Sequence, residues 1–169
     1  MVFCILDSNV PYKRVCEAFQ AIIDSWVMHF DDAKLLSKFL NDLGFYGIRR
    51  ILKNAHYPWY NTKARFLLRW AKSSYSGPEK LREASREELV ENITGISWKL
   101  ASLFLRNTRK LRVAVLDRHV CRWLGVPFPL TTKANYEAAE QKFLKKANAL
   151  GLDPYDLDLK IWEESRIKN

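Results

Sequence analysis

The chain has 169 residues, 48% hydrophobic and 28% charged, which suits a folded core and argues against intrinsic disorder. Its 28 Lys and Arg against 19 Asp and Glu give a net charge of +9, which favours an anionic partner such as nucleic acid. Three cysteines without a CxxC pair argue against a disulfide framework and a cysteine-built metal site, and favour an intracellular location, in the cytoplasm or nucleoid. No apolar stretch is long enough to predict a membrane span.

Apolar residues recur at steps of three and four residues almost throughout, which predicts an all-α fold. Capping residues and Gly or Pro stops mark the helix ends: a start at Asp31-Asp32, a stop at Gly44 and a capping box at 85–88. The predicted helices cover residues 15–26, 35–43, 48–52, 64–71, a helix entering 91–124, 118–124, a Thr132-capped helix to 150, and 155–165.

A basic segment runs from Gly44 to Pro78 without any Asp or Glu. It carries seven Lys and Arg with aromatic residues between them. One interpretation is a solvated basic face over ordinary aromatic core. The other is a phosphate-binding surface beside aromatic platforms on which bases stack. The complete absence of acids favours the second interpretation for the segment, but not for any single residue.

A turn at Thr94-Gly95-Ile96-Ser97 joins two predicted helices, over about residues 86–107, as in a helix–hairpin–helix. Gly95 permits a backbone conformation closed to other residues, and amide N–H groups at the following helix start favour a DNA phosphate. The alternative is an ordinary helix C-cap. Ser97 stands where such hairpins usually carry a second Gly, which predicts a local change in the turn.

An apolar run over residues 113–116 stops at Asp117. This is the only acid between Glu91 and Glu137, a stretch with eight Lys and Arg. Asp117 could be the N-cap of the helix 118–124, a chemical group, or both, since capping and catalysis are compatible. Lys99, at the start of the helix after the hairpin, could be an exposed helix residue or an amine nucleophile.

A lysine directly after the hairpin and an aspartate eighteen residues later match the bifunctional members of one superfamily. The chain resembles the helix–hairpin–helix DNA glycosylases, because two of its stretches match their pattern: Gly95-Ile96-Ser97-Trp98-Lys99 and residues 115–120. Within that superfamily it most resembles the archaeal-type 8-oxoguanine DNA glycosylases. That closer likeness rests on residues 3–6, 104–107 with 116–119, and 151–162.

The resemblance implies a single domain over residues 1–169, with helices in two packed lobes and the active site between them. It implies a bifunctional DNA N-glycosylase and AP lyase that acts on an oxidised base in damaged double-stranded DNA. Lys99 would attack the sugar and form a Schiff base, and Asp117 would stabilise the positive charge on the sugar. A helix N-terminus and neighbouring positive charge favour the neutral amine that such an attack requires.

The resemblance also assigns residues to the base pocket and to the DNA backbone. Trp59 and Trp162 match aromatic positions that sandwich the base, and Asn9 matches a polar position near the flipped base or the gap that it leaves. Ordinary core or loop roles remain alternatives for all three.

For the DNA backbone, the resemblance assigns Gly95, Ser97 and Arg118. No four-cysteine cluster follows the core, so neither an iron–sulfur cluster nor any other cofactor or metal is expected. We expect a monomer.

The lesion is the open part of this prediction. Relatives extend further at both ends, and a terminal lysine reads the oxidised purine there, so 8-oxoguanine is less firmly implied than the glycosylase chemistry. The alternatives are a glycosylase for oxidised pyrimidines or another lesion, a non-catalytic helix–hairpin–helix DNA-binding module, and an RNA-binding or ribosome-associated basic protein.

Overall fold

The structure, a computed structural model, describes the backbone of residues 1–7, 10–27 and 33–167. These residues form ten α-helices and one short 3-10 turn, and no β-strand occurs among them. The prediction of an all-α fold is confirmed. In chain order the helices are α1 (Val2–Leu6), α2 (Tyr12–Val27), α3 (Ala33–Asn54), α4 (Tyr60–Ala71), α5 (Pro78–Glu83), α6 (Arg86–Asn92), α7 (Trp98–Arg109), α8 (Arg118–Leu124), α9 (Lys133–Ala149) and α10 (Pro154–Ile167).

The chain divides into two compact units, Met1–Ile96 and Ser97–Asn169, called here the N-terminal and C-terminal units. The N-terminal unit contains α1 to α6 and the C-terminal unit contains α7 to α10. The prediction that residues 1–169 form one domain stays a prediction.

In the N-terminal unit, α3 packs against α2 and α4, and α1 packs against α2 and α4. Gly44 interrupts α3 with φ 61° and ψ −173°, a backbone conformation that only glycine adopts readily. The predicted helix stop at Gly44 is therefore a sharp kink, and a second helical stretch follows at once. The predicted start at Asp31-Asp32 lies outside the described residues.

Local capping explains where α5 and α6 begin. Pro78 occupies the first turn of α5, where its missing N–H costs nothing. At α6, the Ser85 hydroxyl accepts a hydrogen bond from the Glu88 N–H at 3.1 Å. The Glu88 carboxylate accepts one from the Ser85 N–H at 2.7 Å. The predicted capping box is therefore present, and it directs the chain toward the hairpin.

The C-terminal unit has its own apolar core beneath α8, α9 and α10, which pack against one another. Trp98, from the first turn of α7, packs against this core. The buried residues of this core are Ala114, Leu116, Val120, Cys121, Leu124, Tyr136, Ala139, Phe143, Ala147, Leu157 and Ile161. The apolar run before Asp117 is thus anchored in this core at Ala114 and Leu116.

None of the described helices is both long and apolar enough to cross a membrane. Within the same part of the chain, no group of three His, Cys, Asp or Glu side chains is arranged to hold a metal ion.

Candidate active site

Lys99 is the second residue of α7 and is partly buried. The helix begins there because Ser97 caps it: the Ser97 hydroxyl accepts a hydrogen bond from the Leu100 N–H at 3.4 Å. Lys99 therefore lies in the first helical turn, where the amide groups carry the positive end of the helix dipole.

The hairpin turn is closed by a hydrogen bond from the Ile96 N–H to the Ile93 carbonyl at 3.1 Å. Gly95 has φ 89°, and a Cβ placed on it would lie only 2.3 Å from Cδ2 of Phe66. Gly95 is thus required both by its backbone angle and by the close approach of Phe66. Ser97 has φ −95° and ψ 170°, which any residue adopts, and its hydroxyl caps α7. No second glycine is needed there.

Asp117 is the N-cap of α8. Its Oδ1 accepts hydrogen bonds from the His119 and Val120 N–H groups at 2.8 and 2.9 Å. Within the described part of the chain, Oδ2 accepts no hydrogen bond. One oxygen therefore holds the carboxylate in place, while the other can face a substrate. This geometry is consistent with a residue that both caps a helix and carries out chemistry.

An ion pair that the sequence did not reveal joins α7 to α10. The Arg106 guanidinium donates to Asp158 Oδ2 at 2.6 Å, and these side chains are only 12% and 17% exposed. The Arg106 guanidinium also lies 5.2 Å from the centre of the Tyr155 ring. The pair holds α10 against the helix that carries Lys99.

Lys99 and Asp117 both act on the pKa of one carboxyl group, that of Asp158. Burial raises the pKa of the Asp158 carboxyl, and hydrogen bonding and charge from Arg106 oppose that rise. The charge of Asp117 raises this pKa further and the charge of Lys99 lowers it. Both predicted catalytic residues therefore lie within electrostatic range of one partly buried carboxyl group.

The predicted base-pocket residues lie in different parts of the chain. Trp162 is partly buried on α10, one helical turn after Asp158. Trp59 is 53% exposed at the N-cap of α4, in the N-terminal unit. Asn9 lies outside the described residues. The base sandwich therefore stays a prediction.

Three residues are predicted to contact the DNA backbone. Ser97 and Arg118 are exposed at the starts of α7 and α8, and Gly95 is partly exposed in the turn. Their positions at helix starts suit phosphate oxygens. Contact with DNA stays a prediction for all three.

The basic segment 44–78 divides into two groups of residues. Lys63 is only 4% exposed, and burial lowers its pKa to about 8 despite an opposing effect of Asp7. Counting Lys63 as part of a phosphate-binding surface was wrong, because its position on α4 turns it inward. Tyr57, Trp70 and Tyr75 are likewise buried, so they cannot serve as stacking platforms.

Other residues of the basic segment face outward. Tyr46 is 80% exposed, and it lines an open groove of about 670 Å³ together with Arg50 and Lys53. Arg49 is held by hydrogen bonding to Asn61 at 2.7 Å and lies over the Tyr60 ring. Cations and an exposed aromatic ring are therefore adjacent here, as the nucleic-acid interpretation requires.

The apolar run before Asp117 depends on two further residues whose function the sequence did not predict. Tyr136 and Glu140 on α9 make hydrogen bonds to its backbone. The sequence did contain a signal, because Glu140 lies one turn after Tyr136 on the face that also presents Phe143. A carboxylate on an apolar helix face needs a buried donor.

The all-helical fold, the glycine hairpin and the lysine–aspartate pair at two helix starts define a helix–hairpin–helix protein of the DNA glycosylase class. The chain belongs to the 8-oxoguanine DNA glycosylase family, whose model matches residues 1–152. The resemblance inferred from the sequence is therefore confirmed at the level of the family.

Relatives and solved structures agree with this assignment. The chain is 31% identical to the 8-oxoguanine DNA glycosylase/AP lyase of Thermoplasma acidophilum, over 97% of this chain and 77% of the relative. It is 32% identical to the same-named protein of Sulfolobus acidocaldarius, over 96% and 78%. Among solved structures, it is similar to the Methanocaldococcus jannaschii 8-oxoguanine glycosylase/lyase in complex with a 15mer DNA containing 8-oxoguanine. That TM-score is 0.77, with 25% identity over 95% of this chain and 76% of the other.

Proposed function

We propose that this chain excises 8-oxoguanine from double-stranded DNA and then cleaves the strand as an AP lyase. The observation that carries the proposal is the placement of Lys99 and Asp117 at the starts of α7 and α8 within one compact unit. Both also influence the Asp158 carboxyl. The names of the relatives support the same reaction and substrate.

In the proposed reaction, the Lys99 amine attacks C1′ of the damaged nucleotide while the N-glycosidic bond breaks. The base leaves with the bonding electrons and takes up a proton. The lysine nitrogen then loses one proton, and the C1′–O4′ bond breaks with its electrons going to O4′, which takes up a proton. The lysine is now joined to C1′ as a protonated Schiff base. Removal of a C2′ proton then breaks the C3′–O bond, which cleaves the strand. Water finally hydrolyses the Schiff base and regenerates the amine.

Asp117 serves this reaction as a fixed negative charge. Positive charge develops on the sugar as the glycosidic bond breaks, and a carboxylate already oriented by α8 stabilises it without reorganisation. The two N–H groups of α8 hold Oδ1. We assign Oδ2 to the sugar and its protons.

DNA binding in this proposal is electrostatic and backbone-directed. Gly95, Ser97 and Arg118 contact phosphates at the hairpin and at the start of α8, and the exposed Arg50 and Lys53 add positive charge in the N-terminal unit. Trp162 stacks on the flipped base and offsets the cost of unstacking it, and we propose Trp59 as a further stacking residue. We propose that the enzyme acts as a monomer inside the cell, where genomic DNA is found; size-exclusion chromatography with light scattering would test the monomer.

Borohydride trapping on a duplex with one 8-oxoguanine tests the chemistry. Reduction of the Schiff base gives a stable protein–DNA adduct, and Lys99→Gln should abolish it. The matched control is Lys133→Gln, since Lys133 is also in the first turn of a helix and is exposed. An undiminished adduct from Lys99→Gln would overturn the assignment of the nucleophile.

The substrate is tested with the same duplex in which the central base is varied. Excision should be fastest for 8-oxoguanine, and undamaged guanine should remain in place. Faster release of an oxidised pyrimidine would contradict the proposed lesion but leave the chemistry intact. Binding without release of any base would contradict the enzyme proposal itself.

A further inference from the structure

The four residues before Asp117 belong to no helix and have no β-strand beside them in the described part of the chain. Ala114 and Leu116 are 0% and 1% exposed, so water cannot satisfy their backbone groups. Buried N–H and C=O groups that lack partners are costly, and native proteins almost always pair them. Side chains have to supply these partners here.

Two side chains of α9 do so. The Glu140 carboxylate accepts a hydrogen bond from the Ala114 N–H at 2.9 Å. The Tyr136 hydroxyl donates to the Ala114 carbonyl at 2.8 Å and accepts from the Leu116 N–H at 3.2 Å. One turn of helix thus holds three backbone groups of the run before Asp117. Tyr136 and Glu140 are themselves buried.

This arrangement sets the register of the chain that leads into Asp117. The bound backbone groups alternate along the run, so a slip by one residue would break all three hydrogen bonds. The Asp117 N–H donates to the Val115 carbonyl at 3.0 Å, and Asp117 Oδ1 caps α8. Asp117 is therefore fixed on one side by α9, through the run, and on the other side by α8.

Tyr136 also packs near the other predicted catalytic group. Its ring centre lies 6.2 Å from that of Trp98, with the rings tilted by 32°. Trp98 immediately precedes Lys99 in the first turn of α7. A single buried tyrosine therefore supports the backbone before Asp117 and the residue before Lys99.

We propose that Tyr136 and Glu140 are positioning residues for the glycosylase step, which they serve by orienting Asp117 through its preceding backbone. This inference rests on the proposed function of Asp117. Neither side chain has to touch DNA for this role. Misplacing a reacting group by about 1 Å is enough to lower a rate by roughly 10²-fold.

The test measures single-turnover excision rate and DNA affinity separately, below the melting temperature of every variant. Tyr136→Phe keeps the ring and removes the hydroxyl, and Glu140→Ala removes the acceptor. Each should lower the excision rate roughly 10- to 100-fold and leave the dissociation constant for damaged duplex unchanged. Glu140→Gln keeps an oxygen that can accept from Ala114 N–H, and it should restore most of the rate.

Phe143→Leu controls for loss of stability, because Phe143 is fully buried on the same helix and contacts none of these backbone groups by hydrogen bonding. It should lower the melting temperature but keep the excision rate. Equal rate losses in Phe143→Leu and Tyr136→Phe would overturn the proposal, as would a wild-type rate in both Tyr136→Phe and Glu140→Ala.

Asp117→Asn separates this inference from the proposed function. A fully active Asp117→Asn protein would refute the role of Asp117, and the positioning role would fall with it. If Asp117→Asn is inactive while Tyr136→Phe and Glu140→Ala keep the wild-type rate, only the positioning role is refuted.

Discussion

The stretch 91–124 and the basic segment 44–78 contrast in how their side chains are held. In 91–124, the predicted polar site residues stand at helix starts, where Ser97 and Asp117 satisfy backbone N–H groups. In 44–78, Lys, Arg and aromatic residues recur along the whole segment. Yet Lys63 and Trp70 are buried while Tyr46 is exposed. Capping dictates orientation locally, whereas charge count does not.

A capping residue predicts the orientation of its side chain more reliably than a lysine on an amphipathic helix does. A cap residue has one geometric task, and its side chain must turn toward the amides of the next turn. A lysine on an amphipathic helix can extend outward or lie along apolar surface. Four substitutions test this distinction, in order of decreasing expected effect.

Asp117→Asn should lower excision roughly 10²- to 10⁴-fold, because it removes the charge that stabilises the sugar cation. Asn caps helices about as well as Asp, so the melting temperature should change little. Single-turnover kinetics and thermal unfolding measure the two effects. A parallel loss of stability and activity would mean that Asp117 matters only as a cap.

Gly95→Ala should destabilise the protein by about 2 to 5 kcal/mol, from the positive φ and from the overlap with Phe66. Gly125→Ala is the matched control: Gly125 has φ 66° but nothing within 4 Å of an added Cβ. The control should cost only about 1 to 2 kcal/mol. Urea unfolding compares them, and equal losses would contradict a role for Phe66 in shaping the hairpin.

Lys63→Met should change how stability depends on pH. The Lys63 pKa of about 8 in the folded protein lies below its ordinary value of 10.5, so the folded state binds fewer protons between these values. Wild-type stability should therefore rise relative to Lys63→Met between pH 8 and 9.5, by about 2 kcal/mol. Urea unfolding across this range measures the difference.

The exposed Lys72, at the C-cap of α4, supplies the control for that experiment. The difference between wild type and Lys72→Met, which loses an exposed cation, is the baseline against which the Lys63→Met difference is measured. A flat difference between wild type and Lys63→Met would mean that Lys63 is charged and solvated in the fold, like the exposed cations of the same segment.

Arg118→Ala should have the smallest effect, on the salt dependence of DNA binding. Loss of one phosphate contact reduces the slope of log K against log salt by about 0.9. Arg122→Ala, an exposed arginine at the other end of α8, should leave the slope unchanged. Fluorescence anisotropy over a salt series measures both slopes, and identical slopes for the two variants would argue against a phosphate contact at Arg118.

Much of the fold followed from local physics in the sequence. Apolar spacing predicted the helices, and Ser85 and Thr132 predicted where two of them begin. The helix break at Gly44 was also predicted, because its conformation depends on a missing Cβ more than on neighbours. The helix α1 was not predicted, since five residues are too few for a periodic pattern.

The sequence by itself determined the elements at each end of the chemistry: the hairpin glycine, the cap at Asp117, and the interval of eighteen residues from Lys99. These depend on contacts within a few residues. Only the tertiary structure decided that Arg106 pairs with Asp158, that Lys63 is buried, and that Tyr136 and Glu140 hold the run before Asp117. Each of these features depends on residues far apart in the sequence, and only the packing of the helices decides which polar groups meet.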